Sequence, residues 1–218
     1  MARKFKKSKV SICVFCEGES EQAYIDFLKS EFHDVAVFKR PSSPGLFDDA
    51  DNRFKKDPGY RNYVDAIDEI WFFFDVEEKD IGNWTNRLEI IKRLRKLRKG
   101  PKIRVRLLMT TGCIEYWLML HYRHLAPSLL TVPDKERMLA QVVNMEPTYR
   151  KGNYDATARI AQNYPTAVKN ATIVLQNLLQ EGMPGLEDTD ERNRWLCTKC
   201  KTFSTVQEAI VFLEGLQS

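Results

Sequence analysis

Two groups of carboxylates stand directly behind apolar, strand-like runs. Glu17, Glu19 and Glu21 follow Val10 to Phe15, and Asp75, Glu77 and Glu78 follow Glu69 to Phe74. Carboxylates gathered at one place repel one another unless protons or a cation intervene. A hard cation such as Mg²⁺, or Mn²⁺ in its place, is suited to one or two of them together with waters and phosphate oxygens. Phosphodiester chemistry is the natural use of such a set. Glu17, Asp75 and Glu77 are the expected catalytic residues, with Glu17, Asp75, Glu77 and Glu78 as the expected metal ligands. Gly18 allows a tight turn that presents Glu17, Ser20 suits a helix cap, and Glu21 complements a helix dipole, so Glu19 and Glu21 have a structural reading, with Glu21 also a candidate for the site's rim. Glu115 and His121 are further rim candidates. Each also has an ordinary explanation, since Glu115 opens a helix and His121 sits one turn after Trp117.

The elements that must position these groups follow from periodicity. Val10 to Phe15 reads as a strand, Glu17 to Glu21 as a turn, and Gln22 to Phe32 as a helix. Val35 to Phe38 is a short strand, and Arg40 to Arg61, with Pro41, Pro44, Gly45, Pro58 and Gly59, reads as a long loop. Tyr63 to Asp68 suggests a helix, Glu69 to Phe74 a buried strand, Trp84 to Lys99 a helix stopped by Gly100-Pro101, and Ile103 to Met109 another strand. Strands alternating with helices predict an α/β fold with a mainly parallel sheet flanked by helices, and loops at the strands' carboxyl ends should carry the function. From Cys113 the pattern turns helical, over Cys113 to His124, Pro133 to Val143, Asp155 to Glu181 and Thr205 to Leu216. The expected organisation is an α/β domain over residues 1–112 and a helical extension over 113–218 packed on it, with no repeat or low-complexity tract.

The formal net charge of +4 hides an uneven distribution. Fourteen of the 34 basic residues lie in two acid-free segments, Met1 to Lys9 and Lys92 to Arg106. Lys92, Arg93, Arg95, Lys96, Arg98 and Lys99 are therefore the expected contacts to a nucleic-acid backbone, DNA or RNA. The competing reading is a solvated helix face opposite the apolar stripe of Leu88, Ile91, Leu94 and Leu97.

Other classes lose support. The longest apolar runs, such as Ile70 to Phe74, are far short of the about 20 residues that cross a bilayer. The basic N-terminus is not followed by a small-residue cleavage site, so a cytosolic protein with reduced thiols is expected. Cys13 and Cys16 lie three apart in a strand and should face opposite ways, which disfavours a zinc site with Cys197 and Cys200. No Walker loop, H-E-x-x-H or G-x-S-x-G motif occurs.

The segment Ile12 to Glu21, followed by Tyr24, resembles the first block of topoisomerase-primase (TOPRIM) domains, and Ile70 to Glu77 resembles their D-x-D block. Cys113 to His121 is similar to a third block found in RloB-like (AbiLii-type) proteins. The resemblance spans about residues 8 to 125, with weaker similarity beyond Tyr149. It implies a Mg²⁺-dependent TOPRIM nuclease of anti-phage abortive-infection systems, working beside an ABC-type ATPase. One departure is Glu77, which stands where the family pattern has its second Asp.

The mechanism expected from these residues has Asp75 and Glu77 holding the ion, while Glu17 either shares it or transfers a proton. The alternative is a non-catalytic nucleic-acid-binding or regulatory partner of the ATPase. A primase-like phosphotransfer is a third reading.

Overall fold

The computed structural model describes residues 9–199 and 201–217, with only the backbone at 79 and 80. Expectations that fall on the basic N-terminal segment up to residue 8, and on Cys200, lie outside the described residues. Four strands, β1 (Val10–Cys16), β2 (Ala36–Lys39), β3 (Glu69–Val76) and β4 (Arg104–Thr111), form an all-parallel sheet in the order β2-β1-β3-β4. β1 and β3 read as unbroken apolar runs because both of their faces are covered. On one face Ile12, Val14, Trp71, Phe73 and Leu108 join a core, and on the other Cys13, Phe15, Ile70, Phe72 and Met109 join a second. Aromatic contacts tie the second layer, with the Phe72 ring stacked on Phe15 at 5.7 Å and on Phe47 at 4.2 Å.

The connections fix where a ligand can sit. β1 crosses to β2 through α1 (Glu19–Glu31), whose buried residues join the first core. β2 returns over β1 through α2 (Phe47–Lys56) and α3 (Pro58–Arg61), and β3 crosses to β4 through α4 (Trp84–Leu94), all against the second core. The chain therefore leaves β1 and β3, which are neighbours, toward opposite faces. The crevice at the carboxyl ends of those two strands is the topological switch point, the usual ligand position of open parallel sheets.

The carboxyl half is helical: α5 (Ile114–Leu120), α6 (Val132–Met145), α7 (Tyr154–Ala161), α8 (Tyr164–Gln180), α9 (Asp190–Thr198) and α10 (Gln207–Gln217). It does not form a core of its own, since residues of α5, α6, α7, α8 and α10 share the first core with the sheet. The strand-like stretch before α10 runs along the open edge of β4. Thr111 N–H donates to Phe203 O at 3.0 Å and Thr205 N–H to Met109 O at 2.8 Å, so this edge is covered.

Several segments depart from the sequence expectation, among them Tyr63 to Asp68, where the expected helix is only the 3-10 turn Val64–Ala66. The supposed loop Arg40 to Arg61 contains α2 and α3, because Phe47, Ala50 and Phe54 recur at helical spacing and bury against the sheet. The helix expected over Asp155 to Glu181 is broken in two, with Pro165 in the first turn of α8, where its missing N–H costs nothing. α4 ends at Leu94 and not Lys99; tighter three-residue bonds follow, from Lys96 N–H to Arg93 O and from Leu97 N–H to Leu94 O. Finally, α9 was not anticipated: Thr189 caps it by accepting from Arg192 N–H at 3.2 Å, and Cys197 lies buried inside it.

Candidate active site at the carboxyl ends of β1, β3 and β4

Glu17 extends the β1–β3 ladder by one step, its N–H donating to Phe73 O at 3.0 Å. Its side chain then crosses to β3 and accepts the Asp75 N–H at Oε2, 2.9 Å away. Asp75, the penultimate residue of β3, turns its carboxylate inward, and its Oδ1 is buried with no hydrogen-bond partner. The two residues thus lie on the same edge of the sheet, and the contact between them is a hydrogen bond and not an ion pair.

Two further carboxylates close the cluster. Glu21 is 4% exposed and folds back over the turn: a Cβ on Gly18 would stand 2.8 Å from Glu21 Oε2. Gly18 itself is in ordinary extended backbone, so the feature of note is how closely the Glu21 carboxylate lies over the turn. Glu115 arrives from the other side, on the first turn of α5, after Gly112 makes its left-handed turn (φ 76°) with its N–H bonded to Val76 O. Glu115 is 1% exposed, and its Oε1 accepts from Tyr149 Oη at 3.1 Å, with Lys151 Nζ at 3.9 Å.

The electrostatics follow from crowding like charges out of water. Burial, then Glu21, Glu17, Glu115 and Glu77, push the Asp75 carboxyl well above the usual carboxylate range. Glu21 is raised to about 7, chiefly by burial and further by Glu17 and Glu115, while backbone N–H groups at Glu21 and Gly18 hold it partly down. Such an arrangement can either retain protons or accept a divalent cation. Among the described residues, no group of three or more His, Cys, Asp or Glu side chains already stands in coordinating geometry. The donor set nonetheless fits a hard cation, because Asp75 Oδ1 is an unsatisfied buried oxygen facing a field of negative charge.

A model of the family described as RloB-like protein matches residues 12–210. The chain belongs to this family. Searches among curated proteins and among solved structures each returned no match.

The remaining expected site residues of this RloB-like chain divide clearly. Glu77 stands near enough to Asp75 to raise its pKa, but its carboxylate pairs with Lys135 of α6, both side chains being about one-quarter exposed. Glu78 is exposed at the start of the 3-10 turn Glu78–Asn83. His121 is fully buried, its Nδ1–H donating to Trp117 O at 3.0 Å, so that Nε2 accepts from Tyr24 Oη at 3.2 Å. Burial holds it down to about 4, so it is a neutral packing residue.

The basic run lies elsewhere. β3 ends at the carboxylates and α4 runs back from them, which puts the run at the strands' amino ends, where Arg98 donates to Asp65 O at 2.8 Å just ahead of β3. Arg93 binds Asp51, Arg95 makes a two-pronged pair with Asp190 at 2.8 and 2.9 Å, and Lys92 binds Glu89 at 2.9 Å. Lys96 and Lys99 complete the segment beside these pairs. Among the described residues, cations of the helical half reach the acidic cluster instead: Lys135 at Glu77 and Lys151 at Glu115, neither with a local sequence signal. Cys13 and Cys16 are buried on opposite faces of the sheet. No helix among the described residues is long and apolar enough to cross a membrane.

Proposed function

We propose that this RloB-like chain is a divalent-metal-dependent nuclease that hydrolyses phosphodiester bonds of DNA or RNA. The observation that carries the reading is the buried, unpartnered Oδ1 of Asp75 at the switch point, surrounded by Glu17, Glu21 and Glu115. Asp75 and Glu17 would hold Mg²⁺ or Mn²⁺, with Glu115 and Glu77 within the same field. Bound there, the ion supplies polarisation of the scissile phosphate and stabilisation of charge on the leaving oxygen.

The chain's own residues do the rest. The Asp75 N–H orients Glu17 by donating to its Oε2. Glu21, raised to about 7, is about half protonated at neutral pH and can deliver a proton from a carboxyl oxygen to the leaving group. Tyr149 fixes the rotamer of Glu115. Lys151, with its side chain 66% exposed, brings positive charge to the mouth of the cluster, where a phosphate must enter. The resemblance of the three motif blocks supports a place in abortive-infection defence beside an ABC-type ATPase.

A second reading, a nucleic-acid-binding or regulatory partner of that ATPase without catalysis, draws on the Glu77–Lys135 pair. That pair occupies the acid which the D-x-D pattern would give to the metal.

One experiment separates the two. Purified protein is incubated with plasmid DNA, oligonucleotides and total RNA, with Mg²⁺ or Mn²⁺ and with a chelator. Cleavage that needs the divalent ion and disappears in Asp75→Asn supports the nuclease. Binding without cleavage, dependent on salt and indifferent to the ion, supports the second reading.

A further inference from the structure

The ion pair between Lys135 and Glu77 stands at the margin of the carboxylate cluster, two residues past Asp75. Given the nuclease reading, on which this rests, we propose that the Lys135 ammonium takes the place of a second metal ion. The site then holds a single divalent cation, and Lys135 supplies the other positive charge to the scissile phosphate.

The segment ahead of Lys135 is anchored at both ends. Leu129 is 2% exposed, and its carbonyl oxygen lies so close over Gly112 that a Cβ there would stand 2.7 Å from it. Thr131 then opens α6 with a capping box, its N–H donating to Asp134 Oδ2 at 2.9 Å and its Oγ1 accepting from the Asp134 N–H at 3.3 Å. These contacts fix the start of α6 beside the turn that ends β4, and Lys135 reaches from there to Glu77. A cation near the amino end of a helix meets the positive pole of its dipole, so the stability of α6 does not account for the residue.

Two-metal nuclease sites hold their ions about 3.5–4 Å apart, and each ion draws on carboxylate oxygens. Here Glu17 accepts the Asp75 N–H and Glu115 accepts the Tyr149 hydroxyl, which leaves the Glu77 side of the cluster for any second ion. On that side Glu77 is already neutralised by Lys135, and Glu78 turns to solvent. A second dication would have to enter against the ammonium. That ammonium has three donors, and among the described residues Glu77 alone accepts from it, so donors remain for phosphate oxygens. The pair is only about one-quarter exposed, which limits its screening by salt.

A Mn²⁺ titration of the full chain, read by loss of the free-ion electron paramagnetic resonance signal, counts the bound ions. The parent should bind one. Lys135→Met, which removes the charge and keeps most of the stem, should bind two, close enough to be spin-coupled. Glu77→Gln should still bind one, since Glu77 serves the lysine and not the ion. Loaded with one equivalent of Mn²⁺, Lys135→Met should cleave an oligonucleotide at least about a hundredfold more slowly than the parent, and Lys135→Arg should stay within about tenfold of it. Circular dichroism establishes that each variant is folded, and the counts for the parent and Glu77→Gln stand without Lys135→Met. Two ions in the parent would overturn the inference and leave the nuclease reading in place, whereas no ion in the parent would overturn both. One ion in folded Lys135→Met, its full cleavage rate with one ion bound, or no ion in folded Glu77→Gln would also overturn it.

Discussion

The backbone N–H of Asp75 is bonded to the side chain of Glu17, so the carboxylate at the end of one strand is anchored by the chain of its neighbour. This single contact spans the point where the crossovers of β1 and β3 part to opposite faces. It fixes Glu17 without neutralising either acid, and the charge that collects there must be met by protons or by a cation.

Without divalent ions, the folded protein should lose stability as pH rises. Glu21 is raised to about 7 from an ordinary 4.5, so between those values the unfolded chain releases a proton that the folded chain retains. The contribution is fully present below about pH 4.5 and is lost as pH passes about 7, a change of about 3 kcal/mol. Urea unfolding in chelator at pH 4.5 and pH 8 should show this loss in the parent relative to Glu21→Gln. Parallel pH profiles for the two proteins would contradict it.

The roles of the acids should separate by burial and position. Glu115→Gln should reduce metal-dependent cleavage by about a hundredfold or more, as should Asp75→Asn, because both sit in the dry part of the cluster. Glu78→Gln, at an exposed position, should cleave within about twofold of the parent. Cleavage rates on one oligonucleotide at saturating Mg²⁺ decide the matter, and an inactive Glu78→Gln would reverse the assignment.

The basic run should prove structural. Arg95→Ala should cost about 1 kcal/mol through loss of its pair with Asp190, while nucleic-acid affinity stays within about twofold. Lys151→Ala should instead weaken binding and lower its salt slope by about one unit, with the fold unchanged. Salt-dependent binding isotherms measure both, and the opposite ranking would restore the run as the contact surface.

Much of this was legible in the residues because the signals were local. The unbroken apolar runs of β1 and β3, each ending in acids, predicted a parallel sheet with Glu17 and Asp75 on one edge, and the sheet has that form. The covered segment Phe47–Lys56 was obscured because Pro44, Gly45, Pro58 and Gly59 flank it, and punctuation outweighed the Phe47, Ala50, Phe54 stripe. The burial of Glu21 and Glu115 in the cluster was hidden for a different reason. Both look like ordinary helix-dipole acids in sequence, and only the fold-back over Gly18 and the turn at Gly112 bring them inward. The basic run misled because spacing reports which face of a helix a residue occupies and not which end of the sheet that helix reaches.

His121 should matter to the fold and not to the chemistry. His121→Leu should destabilise by about 2 kcal/mol, through the loss of its bonds to Tyr24 and Trp117. Cleavage per folded molecule should be unchanged. Folded fraction by circular dichroism, measured beside the cleavage rate, checks this, and a selective loss of rate would place His121 in the reaction.

The central claim is that the acids at the switch point act together as a cation site, and Mn²⁺ binding followed by electron paramagnetic resonance tests it most directly. The parent should bind Mn²⁺ saturably and release it to excess Mg²⁺, while folded Asp75→Asn should lose that binding. No saturable Mn²⁺ in the parent, or the same occupancy in Asp75→Asn, would contradict the account.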